Sequence, residues 1–141
     1  MGAWGHKNFE NDDAGDWVYD LEKSKDKSVI HQALDTVLNN QEYLEAPDCC
    51  VALAAAEVVY AGKTSDHSRV SEDVSAWLNR KHGFIKKKAI TFDSEDVSKS
   101  IQAVGKILDS SELKELWEES DDFQSWVDLQ IELIANLEER A

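Results

Sequence analysis

Glu57 is the side chain whose setting could do chemistry. It is the only charged residue between Val51 and Ala61, in a run that is apolar on almost every helical face. An unpaired charge on a buried helix is costly, so its carboxylate must find a partner or take up a proton. A carboxyl with a raised pKa is what a general acid needs. The same placement equally serves as a tie between helices, through a Trp N–H, a helix N-terminus or an arginine.

Asp12, Asp13, Asp16 and Asp20 form the second acidic set. Carboxylates four apart share one helix face and could hold a hard cation such as magnesium or calcium. Such sites gather ligands from more than one helix, and the sequence has no Glu-x-x-His pair, EF-hand loop or zinc spacing. No metal and no cofactor is therefore expected; the alternative is a cap followed by a solvated face. His6, His31, His67 and His82 fall at no ligand spacing, and His31, beside Ile30, is expected to be partly exposed and inert. Cys49 and Cys50 open a helix whose dipole could lower a thiol pKa, but buried free cysteines usually serve as small core hydrophobes. No phosphate loop, nucleophile elbow or triad spacing is present.

A basic patch, Arg80, Lys81, Lys86, Lys87 and Lys88, could touch a phosphate or an acidic partner, or be a solvated loop. Trp17, Trp77, Trp117 and Trp126 lie on expected inner faces. Trp4 stands between Gly2 and Gly5, where it either plugs the end of a bundle, the favoured reading, or presents a binding surface.

The elements that must position these groups are helices. Asp12 or Asp13 caps a first helix carrying Ala14, Trp17, Val18 and Leu21 inward. A charged linker from Lys23 to Lys27 leads to Ile30, Ala33, Leu34, Val37 and Leu38, an amphipathic helix ending near Asn39 and Asn40. Pro47 suits the first position of a helix running over about 47–62, which Gly62 ends. Ser71 caps a short helix with Val74, Trp77 and Leu78 inside, stopped by Gly83; Phe84 to Phe92 reads as a helical turn or an extended segment. Asp93 or Ser94 opens a helix with Val97, Ile101, Val104 and Leu108. Asp109 is expected to cap the next, in a capping box with Glu112. Ser120 to Asp122 opens the last, with Phe123, Trp126, Val127, Leu133, Ile134 and Leu137 on its apolar face. The expectation is one all-α domain over 1–141, an irregular bundle of about six or seven helices around a buried central helix.

Composition agrees and excludes. One proline and six glycines in 141 residues leave little turn chemistry for a many-stranded sandwich. Fifteen basic against twenty-nine acidic residues give a formal charge of −14. That field opposes nucleic acid and anionic membranes, allows a basic protein partner, and also keeps a protein soluble. The first ten residues hold no signal-peptide core, and adjacent cysteines make no disulfide framework, so a cytoplasmic protein is expected.

Three stretches carry a family resemblance: Met1 to Gly5 (MGAWG) with Asn11 to Ala14 (NDDA), Asp16 and Trp17; Tyr43 to Pro47 (YLEAP) with Ala54 to Glu57 (AAAE); and Ser111 to Ser120 (SELKELWEES). The chain resembles the bacterial family designated domain of unknown function 4259 over nearly its whole length. It departs in Gly15, where a larger apolar residue is expected, and in the stretch from Phe84 to Phe92. The resemblance implies a small cytoplasmic bacterial protein and no activity. It draws attention to Trp4, Asp12, Asp13, Glu45 and Glu57.

Two functions are compatible with these features. One is a non-enzymatic acidic binding domain, such as a neutralising or immunity-type partner of a basic protein, with Trp4, Asp12, Asp13, Asp16, Glu45 and Glu57 as candidate binding residues. The other is a small enzyme, or a metal- or ligand-binding protein, using Glu57 with the N-terminal carboxylates or with Glu42 and Glu45. The chain is expected as a monomer or small homo-oligomer; a purely structural oligomeric module is a third reading.

Overall fold

The computed structural model describes residues 2–79 and 90–140. Among them the chain is all-α: α1 (Asp12–Lys23), α2 (Ser28–Leu38), α3 (Ala46–Thr64), α4 (Glu72–Leu78), α5 (Ser94–Asp109), α6 (Glu112–Glu118) and α7 (Phe123–Glu138). The single pairing of extended backbone among the described residues is an isolated bridge between Ala3 and Asn11. None of these helices is long and apolar enough to cross a membrane.

α3 is the hub. Its residues from Ala52 to Ala61 are all buried, because no face of the helix is polar enough to meet water. It packs against α1, α2, α5, α6 and α7 at once, and Ala52, Ala54, Ala55 and Ala56 let those neighbours approach closely. Pro47 sits in its first turn, where a missing N–H breaks no helical bond. Gly62 does not end the helix, contrary to expectation. α3 runs on to Thr64 and stops at Ser65, which takes a left-handed φ of 66°. Gly62 is instead the point where the Phe92 ring lies against α3, and any Cβ there would overlap that ring.

The surrounding helices are amphipathic, and α1, α4, α5 and α6 are capped by local side chains. The cap of α1 is Asn11, neither Asp12 nor Asp13: its extended backbone lets its Oδ1 accept from Ala14 N at 2.8 Å, while the two aspartates fall in the first turn, against the dipole. Asp93 caps α5 in a capping box with Asp96. Asp109 caps nothing, because α5 continues through it. Ser111 caps α6, and Glu112 reaches away to accept from Ala46 N at 2.8 Å, tying α6 to the start of α3. α4 ends at Leu78, short of Gly83. Gly83, the basic patch of Arg80, Lys81, Lys86, Lys87 and Lys88, and the stretch from Phe84 to Ala89 lie outside the described residues.

Ionic ties join α2 to α5. Lys27 Nζ and His31 Nε2 lie 2.6 and 2.7 Å from the two oxygens of Asp96, which is 3% exposed. His31 is thus part of the scaffold, brought to Asp96 by a helix crossing that no local pattern reveals. Burial alone would raise the Asp96 carboxyl, but Lys27, the Asp93 N–H and His31 outweigh it and hold the pKa at about 2. Lys106 closes the C-terminal end of α2 by donating to Val37 O at 2.8 Å and to Asn40 O.

Two stability predictions follow from this packing. In an open helix, glycine to alanine gains up to about 1 kcal/mol. Gly105→Ala, where an added Cβ meets nothing within 4 Å, should raise the melting temperature, and Gly62→Ala should lower it. Asp96 has a pKa depressed from 3.8 to about 2, so its contribution is present above the ordinary value and lost as pH falls through that interval. Asp96→Asn should cost about 2 kcal/mol at neutral pH, a gap to the unsubstituted protein that closes in melts taken towards pH 2.

Candidate functional site

Glu57 occupies the innermost turn of the site. It is 1% exposed and held by Arg69, whose Nε donates to Oε1 and Oε2 at 3.0 Å each and whose Nη2 donates to Oε1 at 2.7 Å. Asn8 Nδ2 donates to the same carboxylate at 3.2 Å. Asn8 also exchanges amide hydrogen bonds with Gln130, at 3.0 and 2.7 Å. Arg69 completes its fork on α7, through Leu129 O at 3.2 Å and Glu132 Oε1 at 2.8 Å. One network therefore joins α3, the segment after it, the N-terminal lead-in and α7.

Burial pushes the Glu57 carboxyl above its ordinary range, although the guanidinium and the Asn8 amide pull it down. Arg69 loses some hydration, yet Glu57 and Glu132 hold its pKa above the ordinary value. The Arg69 guanidinium keeps its proton, and three N–H groups converge on Glu57 as an acceptor. Among the described residues every buried side-chain N and O has a partner.

Above this pair lies an open cavity of about 400 Å3. Glu57, Asn8 and Arg69 form its floor; Phe9, Val70 and Leu129 line its walls; Lys7, Glu10 and Glu132 stand around it. The arrangement can orient a polar or charged group over a fixed ion pair. Both Glu57 oxygens already accept from Arg69, which opposes turning the carboxyl towards a ligand.

A second concavity, a groove of about 290 Å3, gathers Trp4, Asp12, Asp16, Tyr19, Glu22 and Asp73. Phe9 and Ser71 line both the groove and the cavity, so the two are neighbours across one ring and one hydroxyl. Trp4 is 65% exposed and is not a plug. The lead-in turns back on itself, with Trp4 N donating to Glu10 O at 3.0 Å and Asp12 N to Gly2 O at 2.8 Å. On that extended backbone Ala3 faces the core and Trp4, one residue on, faces out. Tyr19 is equally exposed, at 65%.

The sequence-derived residues thus divide. Trp4, Asp12 and Asp16 share the groove, and Glu57 floors the cavity. Asp13 lines neither. Glu45 is exposed at the N-cap of α3, about 18 Å along the helix axis from Glu57. No group of three or more His, Cys, Asp or Glu side chains among the described residues is placed to hold a metal ion. Cys49 and Cys50 are buried, and desolvation pushes both thiols up to about 12, against any lowering by the helix dipole.

Sequence reasoning missed Asn8, Tyr19, Arg69 and Gln130. Gln130 left a signal, being the one polar residue on the stripe of Trp126, Leu133 and Leu137. Asn8 and Arg69 lie in irregular segments, where no periodicity marks an inward side chain.

Removing one partner of a buried pair strands the other, at about 3–5 kcal/mol. Glu57→Gln and Arg69→Met should each destabilise the fold on that scale. The double variant should cost clearly less than the sum, as measured by denaturant unfolding in a double-mutant cycle.

No curated protein and no solved structure matches the chain. Residues 2–128, which include Glu57, Arg69, Asn8 and the acidic groove but stop short of Leu129, Gln130 and Glu132, match a described family along almost the whole chain. The protein belongs to the family designated domain of unknown function 4259.

Proposed function

We propose that the protein is a non-enzymatic binding domain that docks a basic segment of another protein on the face carrying Trp4, Tyr19, Asp12 and Asp16. The observation that carries this reading is the exposure of Trp4 on a hydrogen-bonded turn, with Tyr19 beside the same acidic groove. A large aromatic held in water with its backbone already ordered loses little entropy on docking, and tryptophan and tyrosine dominate interface hot spots. Aromatic faces next to carboxylates suit lysine and arginine, by cation–π attraction and charge pairing. A formal charge of −14 adds long-range steering of a cationic partner. A neutralising role, of the immunity type, is the form of this function that the charge favours. Two buried free thiols suit a reducing, cytoplasmic setting.

The rival reading, a small enzyme or ligand-binding protein built on Glu57, draws support from the cavity above that residue. The clasp of Arg69 weighs against it, as does the distance of Glu45.

The test is capture of a basic protein on the immobilised chain at low salt, with release at high salt. Trp4→Ala should weaken that capture by about 2 kcal/mol or more, and Asp12→Asn with Asp16→Asn should flatten its salt dependence, both read by titration calorimetry with the captured protein. Retention of full affinity by all three substitutions would remove the groove from the interface.

A further inference from the structure

We infer that the cavity over Glu57 is an anchor pocket for one lysine or arginine side chain of the basic partner. The inference rests on the binding reading above and assigns a separate place within it. The cavity measures about 400 Å3, within the range of about 300–1,000 Å3 in which proteins seat small organic groups. Its walls, Phe9, Val70 and Leu129, are half-buried and apolar, which suits the aliphatic stem of a basic side chain.

The charge inside it is uneven. Arg69 is matched on the floor by Glu57, at 2.7 Å. That leaves Glu10 and Glu132 facing Lys7 around the opening, an excess of negative charge where a cationic head would sit. Glu132 is 64% exposed at its side chain and meets Arg69 through Oε1, so it can turn towards an incoming cation without disturbing the buried pair.

The position fits as well as the chemistry. The pocket adjoins the groove of Trp4 and Tyr19 across Phe9 and Ser71, so an extended segment crossing the groove reaches the pocket with its next side chains. The floor is rigid, fixed by Glu57, Asn8 and Gln130 from three parts of the chain. A preformed, aromatic-walled pocket beside a docking face is where a single anchor residue contributes most.

The experiment is a titration of the whole, isotope-labelled chain with an oligolysine peptide at low salt, followed by amide NMR shifts. Saturable shifts are expected at Phe9, Ser68, Val70 and Leu129 together with Trp4 and Tyr19. Glu10→Gln combined with Glu132→Gln should weaken the peptide about tenfold, the equivalent of one charge-assisted contact. The unchanged dispersion of its free spectrum would show that this variant is folded. Shifts confined to the groove, or an affinity that ignores the double variant, would overturn the anchor pocket and leave the binding face standing. Saturable shifts at neither site would remove both. The diamine cadaverine, titrated alone, is expected to bind far more weakly than the peptide; equal affinity would assign the cavity to a free amine and overturn the proposal.

Discussion

A helix with no polar face must be wrapped, and α3 imposes that condition on everything around it. Its burial demands neighbours on every side, and five of the other helices supply them. Each neighbour can then be amphipathic, with one stripe on the core and one in water. The single carboxylate within the wrapped turns, Glu57, sets a second condition: at 1% exposure it must be paired and hydrogen-bonded within the protein. Arg69, Asn8 and Gln130 meet it, and in doing so fasten the lead-in and the segment after α3 to α7.

That fastening has a consequence at the surface. Asn8 is pinned inward, and the turn around it is held by Trp4 N donating to Glu10 O, with Trp4 itself exposed. Phe9 separates the cavity from the groove and contributes to both.

Several cations of the described residues are engaged internally. Lys27, Arg69 and Lys99 are in ion pairs, and Lys106 closes α2. Each does so with a carboxylate or carbonyl of another element, so these four act as fasteners between elements. This is how a chain of charge −14 keeps a compact core and still presents an acidic groove.

What the amino-acid sequence determined by itself is the set of helices and the buried hub. Apolar spacing of three and four marks α1, α2, α5 and α7, and the unbroken apolar run marks α3 and singles out Glu57, because these are short-range patterns that one helix turn imposes on its own residues. Where two short-range signals competed, the reading slipped: Asn11, Asp12 and Asp13 stand together at the start of α1, and geometry chose Asn11 as the cap; Gly62 reads as a stop, yet it lies inside α3 where the Phe92 ring packs against it. Only the tertiary structure decided the site. Asn8 meets Gln130 across 122 positions and Asp96 meets His31 across 65, and Trp4 stands in water at 65% exposure. Those pairings depend on how helices cross, and a crossing is set by the summed packing of many side chains, which no local spacing encodes.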